Sequence, residues 1–347
     1  MRVSKLYGIR DLRVESGPMP APGPGEVLLK IATVGTCGSD VHYYVEGAIG
    51  DQVVLAPITM GHEFSAWVAG LGEGVEGLQI GQLCAVEPAI PCGDCESCRN
   101  GHPNLCPQVR FCGTPPIDGV FADYAVMPAE NCFALPEGFS TDEGALLEPL
   151  GIAIHAVDLA HLRVGDTVAV LGAGPIGLLT AAVARASGAG AILMTEPNPV
   201  RRAFALSYAA DAVYDPSNEN VVAAIMAATG GRGVDVAFEA AGAPETPDQA
   251  ARVTRPGGKV VVAGIPSDDR MAFTAGVVRR KGLTIKLVRR MKHTYPRAIA
   301  MVQKGIVDIK PLATHHFPLE RIADAFELVA GYRDGVLRAM IDVHTEA

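Results

Sequence analysis

An apolar run that breaks into closely spaced glycines constrains this chain more than any other feature. Residues 168–177 read VAVLGAGPIG, a strand that enters a turn with glycines at 172, 174 and 177 and then opens a helix. From Gly151 onward, strand-like and helix-like stretches alternate. Strands are expected at Thr167–Leu171, Ala191–Thr195, Ala212–Tyr214, Val234–Phe238, Lys259–Ala263 and Leu283–Val288. Helices are expected over Ile176–Ala186, Pro199–Tyr208 and Asn220–Ala228. Strands joined by helical crossovers pair in parallel, and a parallel sheet needs helices on both faces. The expectation is therefore a doubly wound α/β layer.

In such a layer the three glycines have separate physical reasons. Gly172 allows the tight turn, Gly174 lets the backbone approach a pyrophosphate, and Gly177 lets helix and strand pack closely. The next strand ends at Glu196. A carboxylate there can accept hydrogen bonds from adenosine ribose hydroxyls, and it repels an added 2′-phosphate, which favours NAD over NADP. Arg201 follows five residues later, where it can stack on adenine, pair with Glu196 or lie on a helix surface.

Residues before about 150 read differently. The Pro/Gly-rich GPMPAPGPG leads into an expected strand, Glu26–Val34, and short strands are expected at Phe64–Leu71, Gln82–Glu87 and Phe121–Val126. Long loops between them hold most of the Cys and His, and loops that carry such residues are usually functional. Cys92, Cys95, Cys98 and Cys106 form C-x2-C-x2-C-x7-C in one loop. Four thiolates at that spacing close a tetrahedral zinc shell with no open position, which makes the site structural. An iron–sulfur cluster is the rival, but one such set exists here and its last gap is longer than the ferredoxin one. After Val288 the pattern returns to mixed structure up to Val343, and this tail is expected to pack back on the first lobe.

The formal charge of −9 disfavours nucleic acid and anionic membranes as partners. Between Thr167 and Thr195 the only charge is Arg185, but glycines and a proline interrupt the run, so a buried strand, turn and helix explain it better than a membrane span. Eight cysteines in a chain whose first residues lack an apolar signal region point to a reducing, cytoplasmic setting. Cys84, Cys112 and Cys132 are then expected as free thiols.

Cys37 lies in TCGSDVHYY and His62-Glu63 in MGHEF. Each alone is an ordinary residue of core or surface; together, in loops of one lobe ahead of a nucleotide-binding layer, they are candidate metal ligands. With EGAIGD, the four-cysteine loop, FCGTPPIDG, LLEPLGIAIHA and LGAGPIG, all in order along the chain, the sequence resembles the zinc-dependent medium-chain dehydrogenases. Within that superfamily it resembles the sorbitol/xylitol (polyol) dehydrogenases.

The resemblance implies a GroES-like, β-rich catalytic domain over residues 1–151, completed by 289–347, and a Rossmann domain over 152–288. It implies NAD as cofactor and two zinc ions, one catalytic and one structural. Cys37, His62 and Glu63 match the catalytic-zinc ligands, with Glu148 near the metal and able to bind it directly or through water. Ser39 and His42 match proton-relay positions, and Tyr43 matches a substrate-pocket tyrosine. Ile176, Glu196, Arg201, Ala263, Gly264, Ile265, Val288, Arg289 and Arg290 match dinucleotide contacts, and Arg290 also matches a polyol-binding arginine. The implied reaction oxidises a secondary hydroxyl of a polyol to a ketose, through a zinc-bound alkoxide and hydride transfer to NAD. A homo-oligomer is implied, with a tetramer favoured over a dimer. Met291 departs from the pattern, because the polyol branch carries a tyrosine there. A thioether for a phenol removes a polar contact to the substrate and points to a polyol other than glucitol. The other readings are a threonine 3-dehydrogenase-like or simple secondary-alcohol enzyme, and a metal- and nucleotide-binding protein without activity.

Overall fold

The glycine turn lies at the end of the strand Thr167–Leu171, inside a six-stranded parallel sheet. In the computed structural model, which describes residues 1–346, this sheet belongs to one of two compact units. One unit comprises Pro149–Thr294; the other comprises Met1–Glu148 and the chain from Tyr295 onward.

In the first of these, the strands run in the order Ala212–Tyr214, Ala191–Thr195, Thr167–Leu171, Val234–Glu239, Thr254–Val262 and Thr284–Leu287. Counted along the chain this is 3-2-1-4-5-6, and the order reverses between Thr167–Leu171 and Val234–Glu239. Ligands of open α/β sheets bind at such a reversal, outside the carboxyl ends of the strands. The sequence explains the layering. Val168–Leu171 and Val234–Glu239 are buried at every position, as strands covered on both faces must be. Thr284–Leu287, at the edge, is largely exposed. Pro175 and Pro199 sit in the first turns of their helices, where a missing amide costs nothing. Asn198 and Asn220 cap theirs by accepting from the amides of Val200 and Arg201, and of Ala223.

One boundary here differs from expectation by more than a residue. The fifth strand starts at Thr254, not Lys259, because TRPGG continues the strand through a register shift, with Gly257 at a φ of +70°. Its turn-like composition hides a bulge.

The other unit is built on a sheet ordered Cys132–Ala134, Leu83–Val86, Glu63–Leu71, Glu26–Gly35, Arg338–Asp342 and Ala313–Pro318, with Tyr124–Pro128 also paired to Glu26–Gly35. The strand Arg338–Asp342 pairs antiparallel with Thr33–Gly35, so residues from both ends of the sequence share one core, including Leu29, Ile31, Phe64, Phe121, Phe326 and Ile341. The strand expected from Phe121 starts at Tyr124 instead. Phe121 is fully buried, edge-on to Phe326 at 5.7 Å, and packed against Gly61. Pairing with Glu26–Lys30 begins only beyond it. The N-terminal hairpin Arg2–Gly8/Asp11–Ser16 was not anticipated from the sequence. Among the described residues, no helix is long and apolar enough to cross a membrane.

Candidate active site and metal centres

Sheet register builds the first centre. Gly35 pairs with Glu63 across neighbouring antiparallel strands. The chain then passes Cys37, which caps the helix Gly38–Glu46, and so comes alongside His62-Glu63. The ligand atoms of Cys37, His62 and Glu63 all lie within 4.8 Å of one another. Two glycines make this approach possible. Gly61 has a φ of +94° and its Cα faces the Phe121 ring, so a side chain there would be strained and would press on Phe121. At Gly35 a Cβ would stand 2.6 Å from Glu63 Oε2.

Asp40, fully buried, ties the centre together. Its carboxylate accepts from the Cys37 amide at 3.1 Å and the Gly61 amide at 3.2 Å, and Oδ1 lies 3.4 Å from His62 Nδ1. A carboxylate on Nδ1 fixes the ring and leaves Nε2 to face a metal. Burial works against a charge on His62, but Asp40 and Cys37 outweigh it and raise its pKa well above the ordinary imidazole value. Metal entering there displaces a proton. Arg338, buried in the strand Arg338–Asp342, places Nη2 3.0 Å from Glu63 Oε1 and donates to the carbonyl of Thr36. Neither Glu63 oxygen has a hydrogen bond in proper alignment, although both are buried. A thiolate, an imidazole and a carboxylate with unsatisfied buried oxygens fit a zinc ion.

Glu148 lies on the helix Thr141–Ala160, which opens with a capping box between Ser140 and Glu143. It is buried, but the group of mutually close ligand atoms comprises Glu63 and not Glu148. Burial, with Glu63 and Glu87 adding to it against His62 and Arg338, pushes the Glu148 carboxyl up to about 8. A raised carboxyl pKa means the folded state holds its proton more tightly than the unfolded chain. The resulting stability is complete below about 4.5 and is lost as pH rises through about 8, at about 1.4 kcal/mol per pH unit in between. In zinc-stripped protein, Glu148→Gln is therefore expected to flatten the fall in unfolding free energy between pH 5 and 8. Parallel denaturant titrations of parent and variant check this, and equal slopes would refute it.

Ser39, His42 and Glu46 fall at i, i+3 and i+7 on the helix Gly38–Glu46, hence on one face. Ser39 and His42 are half-buried and Glu46 is exposed, with His42 Nδ1 3.3 Å from Glu46 Oε2. Tyr43 is buried and its hydroxyl donates to Gln52 Oε1 at 3.3 Å.

The second centre is local. The short helix Glu96–Arg99 and the turn Pro103–Leu105 fold the loop on itself above the strand pair Ala89–Ile90/Arg110–Phe111. All four sulfurs of Cys92, Cys95, Cys98 and Cys106 lie within 4.8 Å of one another, with Cys95–Cys98 and Cys92–Cys106 at 3.5 Å. A tetrahedral zinc–thiolate shell has sulfur–sulfur edges of about 3.8 Å. The Cys92 amide also points at Cys106 Sγ at 3.4 Å. Cys84, Cys112 and Cys132 are free and buried.

In the Pro149–Thr294 unit, Gly172 has a φ of +100°, and a Cβ on Gly177 would lie 2.0 Å from the Gly172 carbonyl oxygen. A Cβ on Gly174 would meet nothing within 4 Å, so the turn is open there. Ile176 is half-buried in the first turn of the following helix. Glu196 is buried and bridges two loops, accepting from the Ala173 amide at 2.9 Å and the Asn198 amide at 3.0 Å. Arg201 is buried, which excludes the surface-cation reading. Ala263 and Gly264 both donate their amides to the Glu239 carbonyl, and Ile265 beyond them is exposed. Val288 donates to Val262, and Arg289 and Arg290 continue from it, Arg290 at a φ of +54°. Met291 is buried, and its sulfur stands 2.4 Å from where a Cβ of Gly151 would be.

Asp40, Arg338 and Glu239 escaped the sequence reading. Asp40 had a local signal, since an acid three residues after a cap closes a capping box; the other two had none. A third cluster, Asp142, His316 and Asp342, has each ring nitrogen facing a carboxylate, at 3.6 and 3.1 Å.

Comparison with known proteins agrees with this geometry. Residues 23–137 match the family model of the alcohol dehydrogenase GroES-like domain, and residues 175–304 match that of the zinc-binding dehydrogenases. A sorbitol dehydrogenase of Bacillus subtilis (strain 168) is 37% identical over 341 residues, covering 98% of this chain and 97% of its own. A probable D-xylulose reductase A of Aspergillus clavatus is 39% identical, covering 95% and 96%. The crystal structure of L-idonate 5-dehydrogenase from Escherichia coli superposes with a TM-score of 0.91 at 28% identity, over 99% of this chain and 98% of its own. Two metal-donor sets, a glycine-turn Rossmann layer and these relatives over nearly the whole chain establish that the protein belongs to the zinc-dependent medium-chain dehydrogenases, in the branch that resembles the polyol dehydrogenases.

Proposed function

We propose that this enzyme oxidises a secondary hydroxyl of a polyol to the ketose, with NAD as hydride acceptor and zinc at Cys37, His62 and Glu63. In this proposal the catalytic role falls to residues 1–151 with 289–347 and the cofactor role to 152–288, with Arg289 and Arg290 adding cofactor contacts just past that boundary, inside the compact unit Pro149–Thr294. The observation that carries the reading is the Cys37–His62–Glu63 donor set, with both Glu63 oxygens buried and without an aligned hydrogen bond, Oε1 facing Arg338, in a chain whose relatives include a sorbitol dehydrogenase. Zinc held there supplies Lewis acidity to the substrate hydroxyl, and NAD takes the hydride. The chain's own residues handle protons and position. Ser39 accepts the hydroxyl proton, and His42, one helical turn on and oriented by Glu46, carries it toward solvent. Glu148 is buried close to His62 and Glu63, where the resemblance puts an acid near the metal. Tyr43 and Arg290 are the polyol contacts, and the buried thioether of Met291 favours a polyol other than glucitol.

Ile176, Glu196, Arg201, Ala263–Ile265 and Val288–Arg290 are the cofactor contacts in this proposal. Glu196→Gln keeps the shape and removes the charge, so the ratio of kcat/KM for NADP to that for NAD is expected to rise roughly tenfold. Steady-state kinetics with both cofactors measure it, and an unchanged ratio would remove Glu196 from cofactor choice. The proposal includes a cytoplasmic homotetramer, which sedimentation of the purified protein tests. The function is tested by initial NADH production across pentitols, hexitols, simple secondary alcohols and threonine, with zinc determined on the same sample. A preference for threonine or a simple alcohol would displace the polyol reading.

A further inference from the structure

Glu239 ends the strand Val234–Glu239, on one side of the sheet's reversal point, in register with Leu171 just before the glycine turn. It is 1% exposed. Its two carboxylate oxygens are treated very differently. Oε1 accepts three hydrogen bonds at 2.8 Å, from the amides of Ala241 and Gly242 and from the Thr246 hydroxyl. Oε2 accepts none from the described residues. It faces Gly264, where a Cβ would stand only 2.4 Å away.

Holding the loop 240–243 explains Oε1. That loop lies close to the glycine turn, since a Cβ on Gly172 would stand 3.0 Å from Ala241. It does not explain Oε2. In a residue that is only 1% exposed, Oε2 itself is not sealed off, so a ligand can supply the donor that the described residues do not. The missing side chain at Gly264 keeps the space beside it clear.

The strand order says what that partner is. The pyrophosphate belongs at the Gly172–Gly177 turn. Glu196, the proposed adenosine-ribose acceptor, follows the strand Ala191–Thr195 on one side of Thr167–Leu171, and Glu239 ends the strand on the other side. A dinucleotide laid across the reversal with adenosine toward Glu196 extends its other nucleoside over Glu239. We infer that Glu239 is a cofactor-binding residue whose Oε2 accepts a hydrogen bond from the nicotinamide–ribose half of NAD, while Oε1 holds the loop beneath it. This deepens the dehydrogenase reading and rests on it.

Glu239→Gln separates the two oxygens. The amide oxygen can keep the three donors of Oε1, while its NH2 presents a donor where Oε2 was an acceptor. Binding of AMP, ADP-ribose and NAD to parent and variant is measured by calorimetry, with melting temperature and circular dichroism as fold controls. Loss of a hydrogen bond to a charged group is expected to weaken NAD about 10- to 100-fold with AMP unchanged. A penalty already present with ADP-ribose assigns the donor to the ribose hydroxyls, and one seen only with NAD assigns it to the carboxamide. Equal affinities for all three ligands, or an equal loss for AMP and NAD, overturns the inference. If Glu239→Gln does not fold, Glu239→Asp keeps the charge but withdraws it, and must show the same selectivity for NAD over AMP. A parent protein that binds no NAD would instead sink the dehydrogenase reading itself.

Discussion

Cys37→Ala is expected to lower kcat/KM by roughly a thousandfold or more while leaving the fold intact. The sulfur is one of three atoms in the cluster with His62 and Glu63, and the bond from the Cys37 amide to the Asp40 carboxylate, which anchors the start of the helix Gly38–Glu46, does not use the side chain. Alanine removes a metal ligand without removing that anchor. Losing the Lewis acid forfeits several kcal/mol of charge stabilisation in the transition state, which is the stated factor. Zinc should fall from two per chain to one, with circular dichroism unchanged. Turnover within tenfold of the parent, or two zincs retained, would mean that the chemistry happens elsewhere.

Cys95→Ala should fail in the opposite order, with fold first and activity as a consequence. The four-cysteine loop is built from a one-turn helix, short turns and two two-residue strands, so the metal is its main support. Structural zinc sites of this kind contribute about 10 kcal/mol or more to folding of isolated zinc peptides. Residues 92–106 are therefore expected to open, with rapid tryptic cleavage after Arg99. The damage should spread, because Phe111, at the base of the loop, packs against the His62 ring at 5.2 Å. Limited proteolysis and zinc analysis across Cys95→Ala and Cys37→Ala should give mirror images. A protease-resistant, fully active Cys95→Ala protein would show that the loop needs no metal.

Much of the site was legible because its chemistry is local. The four cysteines identify their own centre, since loop closure over so few residues leaves the sulfurs no distant alternative. The glycine turn was legible because close packing excludes side chains there whatever else the fold does. The parallel strands were legible as continuous apolar runs, and the fifth strand lost its first residues only because a bulge shares the composition of a turn. The helix carrying Glu148 was missed although Ser140 and Glu143 announce its start, and the strands Ala313–Pro318 and Arg338–Asp342 were missed for want of any clear alternation.

By itself the sequence determined which donors the protein has, thiolates, imidazole and carboxylates, and that a glycine turn would end a buried parallel strand. Only the tertiary structure decided that Glu63 and not Glu148 shares the close cluster, that Arg338 faces it, and that Glu239 lies at the reversal point with one oxygen spare. Donor type and turn geometry are properties of neighbouring residues. Distance between residues far apart in the chain is a property of strand register and order, and one step of register turns a side chain to the opposite face.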